Sequence, residues 1–345
     1  MSTTSELYQP RELIAAVYEK DPKPYNPLFI ALFFRGRVTS KTRDVQLDQI
    51  ADPGVPMAVF CSPMVGATVQ RDKGYSSKVI TPGYLKPRHV IDLNKLAVRA
   101  PGTKSYEEVN PRTYLVMTYL KAQRESILRR AEYMAIQSIT TGKIIVSGDS
   151  IETYEIDWDI DAANLITQAG AAAWSKRDKT TWNPHDDIET YAESCKAPVN
   201  IIVMGGEVWK SYRSFKAVKD VLDTRRGSTA TLETALSGLG EDVSFKGYVG
   251  DVAIVVYSGK YEDGDTEKLL LPADSMVLGN TEHAGILAHG MIQDRDANAA
   301  GIFAAEMFPK NYVMPGDPPL EYVQTHSAPL PVPAGVNKFV TVKVA

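Results

Sequence analysis

The fold of this chain is decided by residues 110–142, which read NPRTYLVMTYLKAQRESILRRAEYMAIQSITTG. Asn110 is a typical N-cap residue, Pro111 suits the first helical position, and Gly142 suits a helix stop. The pattern predicts one helix over Arg112–Thr141, about 45 Å long from the helical rise per residue. Such a helix exceeds what a compact domain needs and indicates an extended, flattened molecule. Charged residues, Glu132 among them, fill its polar faces, whereas one apolar face is formed by Val116, Leu120, Ile127, Ala131 and Met134.

Residues 1–50 precede this helix as a predicted N-terminal arm. A short helical stretch is expected around Arg11–Lys20, and the prolines within Asp21–Pro27 then deny the chain both helix and sheet hydrogen bonds. The apolar run Leu28–Phe34 follows directly and must be buried against something. The sequence leaves open whether that surface belongs to the same subunit or to a neighbour.

From Val55 to Ile91 the pattern is typical of a long hairpin. A strand-like segment leads in at Met57–Phe60, a charged turn follows at Arg71–Gly74, and a second strand leads back at Lys78–Thr81. A lone two-stranded ribbon with this many polar residues, glycines and prolines is marginal in water unless it packs on another surface. The hairpin therefore favours an intermolecular role.

The second half of the chain alternates strand and helix signals. An Asn-Pro start at Asn183-Pro184 predicts a helix that ends near Ser194. Strands are predicted at Val199–Met204 and Val252–Tyr257, with a helix over Glu207–Val221 between them. The alternation predicts a mixed α/β domain. Further strands are expected at Lys143–Val146, Tyr154–Asp157 and Lys338–Val344, and a turn at Asp263-Gly264.

Composition excludes several classes of protein. The 345 residues are 44% hydrophobic and 23% charged, which is ordinary for globular proteins and favours neither disorder nor a fibrous class. Lys and Arg total 38 against 42 Asp and Glu, so the net charge of −4 offers no overall basic field for nucleic acid. Cys61 and Cys195 show the cysteine usage of a reducing cytosol. The N-terminus lacks a signal pattern, and no window approaches about 18 uncharged apolar residues, so we expect cytoplasmic synthesis and no membrane partner.

No catalytic, cofactor or metal constellation is recognisable. The five histidines stand in no metal-ligand spacing with one another or with either cysteine. Gly205-Gly206 lies between a strand and a helix, as a phosphate loop does, but lacks the rest of the fingerprint, and a tight turn explains it better. Two basic segments, Trp174–Lys179 and Asp223–Ser228, could touch phosphate or the carboxylates of a neighbour, or could be ordinary solvated loops.

Several blocks of the chain, taken in order, resemble the lambda-type major capsid proteins of tailed bacteriophages. None of the blocks is a catalytic motif, and their specificity lies in their joint order. The blocks are Thr81–Pro87, Trp174–Lys179, Asp186–Tyr191, Arg213–Ser228, Gly250–Gly259, Met276–Thr281 and Phe308–Pro318.

The resemblance implies the Hong Kong 97-type capsid fold, which is of the α+β class. This fold has an N-terminal arm, an extended β-hairpin loop, a long spine helix, a peripheral domain and an axial domain. The helix predicted above would be the spine, and the hairpin would be the extended loop. The implied bounds are 1–50 for the arm, 51–95 for the loop, 96–198 and 305–345 for the peripheral domain with spine 112–141, and 199–304 for the axial domain.

The function implied is that of a major head protein that catalyses nothing. Copies would form the pentamers and hexamers of an icosahedral shell enclosing double-stranded DNA without sequence-specific contact. The resemblance also implies a separate scaffold protein and a decoration protein in place of covalent Lys–Asn cross-links. Assembly is expected in the bacterial host cytoplasm, and the final location is the virion of a phage or prophage. Two alternatives are an encapsulin-like nanocompartment shell protein and, less favoured, an α/β enzyme with a site near Gly205-Gly206.

Contacts between subunits are expected at the arm, at the hairpin tip and at the two basic segments. Exchange of the arm onto a neighbour would bury the apolar run. Deleting residues 1–34, or replacing Phe33 and Phe34 by Ser, is therefore expected to block shell formation and to leave folded subunits. The candidate contact residues are Leu28, Phe29, Phe33, Phe34, Arg71, Asp72, Lys73, Lys176, Arg177, Arg225 and Arg226.

Overall fold

The predicted long helix is present and is the central element of the subunit. The computed structural model describes residues 7–17, 25–50, 64, 75–91, 111–148, 151–221, 242–317 and 319–344. After α1 (Pro10–Val17) and α2 (Leu28–Phe33), the long helix is α3 and spans Pro111–Thr140. The five residues expected on its apolar face are all buried, which confirms that face. Gly142, at φ +71°, lies just past its end in the left-handed region that glycine tolerates, and the predicted N-cap Asn110 lies outside the described residues.

Strands and shorter helices complete the subunit in chain order. Before α3 lie β1 (Gly36–Thr39), β2 (Val45–Ile50), β3 (Tyr75–Ile80) and β4 (Arg88–Ile91). After it come β5 (Lys143–Gly148), β6 (Ile151–Asp157), β7 (Leu165–Thr167), α4 (Pro184–Glu193), β8 (Ile201–Met204), α5 (Gly206–Tyr212) and α6 (Lys216–Val221). The remainder holds β9 (Val243–Val249), β10 (Val252–Tyr257), β11 (Lys260–Asp263), β12 (Thr266–Leu269), β13 (Ser275–Gly279), β14 (Ile286–His289), α7 (Arg295–Ala299), β15 (Phe308–Met314), β16 (Leu320–His326), β17 (Pro329–Val332) and β18 (Val340–Lys343).

A six-stranded sheet in the order β7-β18-β13-β8-β10-β9 forms one layer of the subunit. β8 and β10 run parallel, whereas β13 is antiparallel to β8 and to β18. The strand predicted at Val252–Tyr257 is confirmed with the same bounds. β7 and β18 come from the segments 96–198 and 305–345, so this sheet crosses the domain boundaries that the resemblance implied.

Both faces of this sheet are buried, because successive strand side chains point to opposite sides. On one face Val203, Val255 and Val277 pack against α2 and the C-terminal half of α3. On the other face Ile202 and Ile254 pack with α5, α6 and the fully buried Trp174. The resulting order is helix, sheet, helix.

The N-terminal half of α3 supports a second sheet, β15-β16-β4. Gln123, which has no exposed surface, donates to the Val323 carbonyl at 2.9 Å and accepts from the Thr325 hydroxyl at 2.7 Å. Arg112 pairs with Glu321 of β16 at 2.5 Å. β4 was predicted as the end of the extended loop, but its ladder with β16 places it in this sheet instead.

β2 and β3 form the base of the predicted hairpin. β2 and β3 pair antiparallel, with Val45 opposite Ile80 and Ile50 opposite Tyr75. The ladder therefore begins at Val45, inside the segment predicted as the arm, and not at Val55. The lead-in at 57–60 and the tip with Arg71, Asp72 and Lys73 lie outside the described residues.

The prediction of one helix over Glu207–Val221 is wrong, because α5 ends at Tyr212 and α6 begins at Lys216. The Lys216 N–H donates to the Lys179 carbonyl at 2.9 Å, so it is not available to continue a helical ladder. Phe215, at the break, is fully buried beside Trp174, with ring centroids 6.1 Å apart. A tertiary contact has interrupted a segment whose local pattern favours a helix.

The apolar run Leu28–Phe34 lies in the core of its own subunit. Leu28, Phe29, Phe33 and Phe34 are each 0% exposed in the single chain. The Phe33 ring packs edge-on against Phe339 with centroids 5.1 Å apart. The prediction that these four side chains contact a neighbour is therefore wrong, since they have no surface left to offer. For the same reason, replacing Phe33 and Phe34 by Ser would not leave the subunit intact.

We expect Phe33→Ala to lower the free energy of unfolding of the isolated subunit by about 3–5 kcal/mol, the cost of a large cavity in a core. Urea unfolding followed by fluorescence measures it. Val79→Ala is the matched control, because Val79 is 58% exposed and its truncation should change stability by no more than about 0.5 kcal/mol. Equal unfolding midpoints for the two variants would contradict the core assignment.

Candidate functional site

The described part of the chain contains no recognisable reaction centre. Within it, no group of three or more His, Cys, Asp or Glu side chains is arranged to hold a metal ion. No helix in the same ranges combines the length and the apolar character needed to cross a bilayer. Cys195 is half-buried and donates to the Lys338 carbonyl at 2.9 Å, and burial raises the pKa of its thiol, which disfavours the reactive thiolate.

Gly205-Gly206 serves chain packing and not ligand binding. The N–H groups of Glu207 and Val208, at the start of α5, both donate to the Ala273 carbonyl, at 3.1 and 3.3 Å. A Cβ on Gly205 would lie 2.4 Å from that same oxygen. The glycine is needed for a close backbone approach, and these first-turn donors are already occupied.

A buried carboxylate fastens the arm to α3. Glu132, which is 0% exposed, accepts the backbone N–H of Phe29 at 2.7 Å and of Ile30 at 3.0 Å. These are N-terminal groups of α2, and the N-cap residue Pro27 supplies no capping side chain. Glu132 thus caps a helix from another element. Sequence periodicity placed Glu132 on a polar face, and only the packing of α2 reveals its burial.

The surroundings of Glu132 set its protonation. Burial raises the pKa of Glu132 to about 7, although the hydrogen bonds from α2 act in the opposite direction. Tyr25 of the arm and Tyr257 of β10 also face this carboxyl, and burial raises the pKa of both phenols, so they stay neutral. Arg129, one turn earlier on α3, lies over the Tyr25 ring at 4.7 Å. The arm anchor, which we define as Glu132 with Phe29 and Ile30, is therefore a polar contact inside an apolar core.

The loop ribbon, β2 with β3, is held at its base by the β5–β6 hairpin. Lys78 donates to the Asp157 carbonyl and pairs with Asp159 at 3.2 Å. The Thr81 hydroxyl donates to the Asp44 carboxylate at 2.6 Å, and the Tyr154 hydroxyl donates to the Thr81 carbonyl at 2.9 Å. These contacts attach the base of the ribbon to the body of the subunit.

Tyr84, within the block 81–87, joins the loop return to β16 and to the segment that contains Gln293. Its hydroxyl accepts from the Gln293 N–H at 3.2 Å and lies 2.8 Å from Nδ1 of His326. Burial lowers the pKa of His326, so its ring is neutral and Nδ1 can accept from the hydroxyl. Beside it, Lys310 of β15 pairs with the largely buried Asp294 at 2.6 Å. This network locks the return of the loop onto β15 and β16.

The basic segment Trp174–Lys179 is only partly available to a partner. Lys176 is exposed, but the Arg177 guanidinium lies 3.8 Å from the centroid of the Trp182 ring. Asp187 of α4 accepts from the indole N–H groups of both Trp174 and Trp182, at 2.8 and 2.9 Å, which fixes the segment. Arg225 and Arg226, in the second basic segment, lie outside the described residues.

The described residues thus form a body built on α3, with α2 anchored to it by Glu132 and the base of the ribbon attached to the β5–β6 hairpin. A family model described as phage major capsid protein E matches residues 10–344. The chain belongs to this family. The resemblance to lambda-type capsid proteins is thereby confirmed, and the role of the chain is that of a capsid shell protein.

Similar sequences and similar solved structures agree with this assignment. The chain is 44% identical to the major capsid protein of Escherichia phage N15 and 42% identical to that of Escherichia phage lambda, each over 343 residues, 98% of this chain and 99% of the relative. It is 45% identical to a putative capsid protein of an E. coli CFT073 prophage of known crystal structure, with a TM-score of 0.85 over 99% of this chain and 100% of the other. A phage-related protein of Bordetella bronchiseptica RB50, 10% identical with a TM-score of 0.51 over 96% of both chains, shares the fold. The predicted α+β capsid fold is confirmed, and the family is one of structural proteins and not of enzymes.

We expect Glu132 to make the stability of the subunit depend on pH. Its pKa is higher in the folded chain, about 7, than the ordinary 4.5, so the protonated form favours folding. The contribution is fully present below pH 4.5 and is lost as the pH rises through 7, with an amplitude on the order of 3 kcal/mol. Burial lowers the pKa of His289 to about 4, so its titration changes stability in the opposite direction over part of the same pH range. The Glu132 contribution is therefore measured as the difference between the natural protein and Glu132→Gln in urea unfolding at several pH values.

Glu132→Gln should remove the loss of stability that Glu132 causes as the pH rises through 7, because an amide does not titrate. The matched control is Glu125→Gln on the same helix, where the carboxylate is partly exposed and pairs with Arg129 at 2.7 Å. The Glu125→Gln variant should keep the pH dependence of stability of the natural protein. Identical pH profiles for the natural protein and Glu132→Gln would show that the anchor does not titrate in this range.

Proposed function

We propose that the chain is the repeating subunit of an icosahedral phage or prophage head that encloses double-stranded DNA. The observation that carries the proposal is the family match over residues 10–344 together with relatives that are major capsid proteins over nearly their whole length. Copies would meet through heterologous contacts that close into pentamers and hexamers, and these rings would close into a shell.

The distribution of rigid and projecting parts supports this arrangement. α3 is tied by buried polar groups to β16 through Gln123 and to α2 through Glu132. The ribbon buries Val45 and Ile80 against its own subunit but leaves Val79 58% exposed on the other side. The face that carries Val79 thus remains available for a neighbouring copy. We place the axial lobe at the six-stranded sheet and the peripheral lobe at the sheet β15-β16-β4.

Partners other than the chain itself follow from the same proposal. A net charge of −4 fits a shell that holds DNA without gripping it sequence-specifically. We propose a separate scaffold protein and a decoration protein, with assembly in the host cytoplasm and no covalent stitching of subunits. Arg71, Asp72, Lys73, Lys176, Arg177, Arg225 and Arg226 remain the proposed contact residues.

The proposed function is tested by analytical ultracentrifugation of the purified chain, alone and co-expressed with the neighbouring head genes of its phage or prophage, with electron microscopy of the fast-sedimenting fraction. We expect closed shells, tubes or rings of five or six subunits. A compact monomer under both conditions, at every concentration, would overturn the proposal.

Assembled particles should dissociate in denaturant to single chains. Intact-mass measurement and denaturing gels of these particles are expected to give one species at the mass of the 345-residue chain. A ladder of covalent multimers would show that subunits are cross-linked and that the non-covalent scheme is wrong.

A further inference from the structure

A row of cations runs along β1 and the turn after it. Arg35 donates to the Thr281 carbonyl and Arg37 to the Phe34 carbonyl at 2.6 Å. Residues 35–43 read RGRVTSKTR, and their four cationic side chains are all exposed. Within the described residues none of the four takes part in an ion pair, and the adjacent Asp44 accepts from the Thr81 hydroxyl. We call this set the basic row: Arg35, Arg37, Lys41 and Arg43.

The basic row lies on an accessible sheet edge. Among the described strands β1 pairs only with β14, so its other edge is open, and Val38 between the cations is 46% exposed. Cations on an edge strand can serve simply to discourage pairing with other chains. A docking role therefore requires a complementary anionic surface of defined position.

The chain itself supplies such a surface on α4. Asp186, Glu189 and Glu193 are exposed and spaced three and four residues apart, which places them on one face of the helix. In the described part of the chain these three form no ion pair, whereas Asp187 points inward to the two indoles. We call Asp186, Glu189 and Glu193 the acidic row.

Within one subunit the two rows do not neutralise each other. α4 packs through Ile188 and Tyr191 onto the core cluster on the α5–α6 side of the six-stranded sheet. β1 belongs to a different sheet, β1-β14-β17, and follows α2, which packs on the opposite face. Each subunit therefore presents two separate, oppositely charged surfaces.

We propose that the basic row of one copy docks on the acidic row of the next copy in the ring. The inference rests on the proposed self-assembly and names a contact within it. Head-to-tail rings require two different, mutually complementary patches on every copy, and opposite charges set the register between them. The phosphate backbone of DNA is another anion that the basic row could bind, but a DNA contact would leave the acidic row without a purpose.

The test is a charge swap in the full-length chain. One variant carries Lys41→Glu and Arg43→Glu, the second carries Glu189→Lys and Glu193→Lys, and the third carries all four changes. We expect each double variant to lower the yield of particles, or of salt-sensitive oligomers in ultracentrifugation, about tenfold or more, because like charges face each other at every repeat of the contact. The fourfold variant should recover most of the yield of the natural protein. Lys210→Glu with Lys219→Glu, exposed cations on α5 and α6, is the control for net charge and should assemble normally.

The outcomes separate the contact from the proposed function. If the natural protein assembles and the double variants assemble equally well, the contact is wrong and the proposed function stands. If the Lys41→Glu, Arg43→Glu variant fails and the fourfold variant does not recover, the row has a different anionic partner, such as DNA, and the contact is overturned. If the natural protein forms neither particles nor oligomers, the proposed function fails and the contact fails with it. Thermal unfolding of each variant confirms that a loss of yield is not a loss of folding.

Discussion

The rest of the subunit depends on the packing of one 30-residue helix against two sheets. The N-terminal half of α3 packs on β15-β16-β4, and the C-terminal half packs with α2 on the six-stranded sheet. A helix of this length has too few apolar residues to be buried on all sides, and its polar positions must therefore be satisfied wherever they enter the core. Gln123 and Glu132 meet that requirement by bonding to β16 and to α2. The spine is thus both the packing surface and the polar connector of the fold.

The anchoring of the arm follows from this arrangement. Once α2 is seated on α3, its first N–H groups point into a region without water, and an acceptor there is obligatory. Glu132 supplies it, at the cost of a carboxyl whose pKa burial raises to about 7. Near neutral pH a small change in acidity alters the charge at the point where the arm joins the body. The arm anchor is therefore sensitive to pH because the pKa of Glu132 lies near neutrality.

A capsid protein has to combine a body that does not deform with surfaces that repeat. The contacts of Gln123, Glu132 and Tyr84 provide the first. Gln123 ties α3 to β16, Glu132 ties α3 to α2, and Tyr84 ties the loop return to β16. The exposed charged rows and the open face of the ribbon provide the second.

The sequence by itself determined the elements whose signals are local. The Asn183 cap of α4, the buried strand Val252–Tyr257 and the apolar face of α3 were all predictable, because caps and side-chain periodicity act over a few residues. The capsid fold followed from blocks of sequence in a fixed order.

Only the tertiary structure decided which surfaces meet. It placed Leu28–Phe34 in the core of its own subunit, brought β18 into the six-stranded sheet, interrupted the helix near Phe215 and buried Glu132. Each of these features depends on a partner far away in the chain. A local pattern records that a residue must be buried or a hydrogen bond satisfied, but not by which distant group.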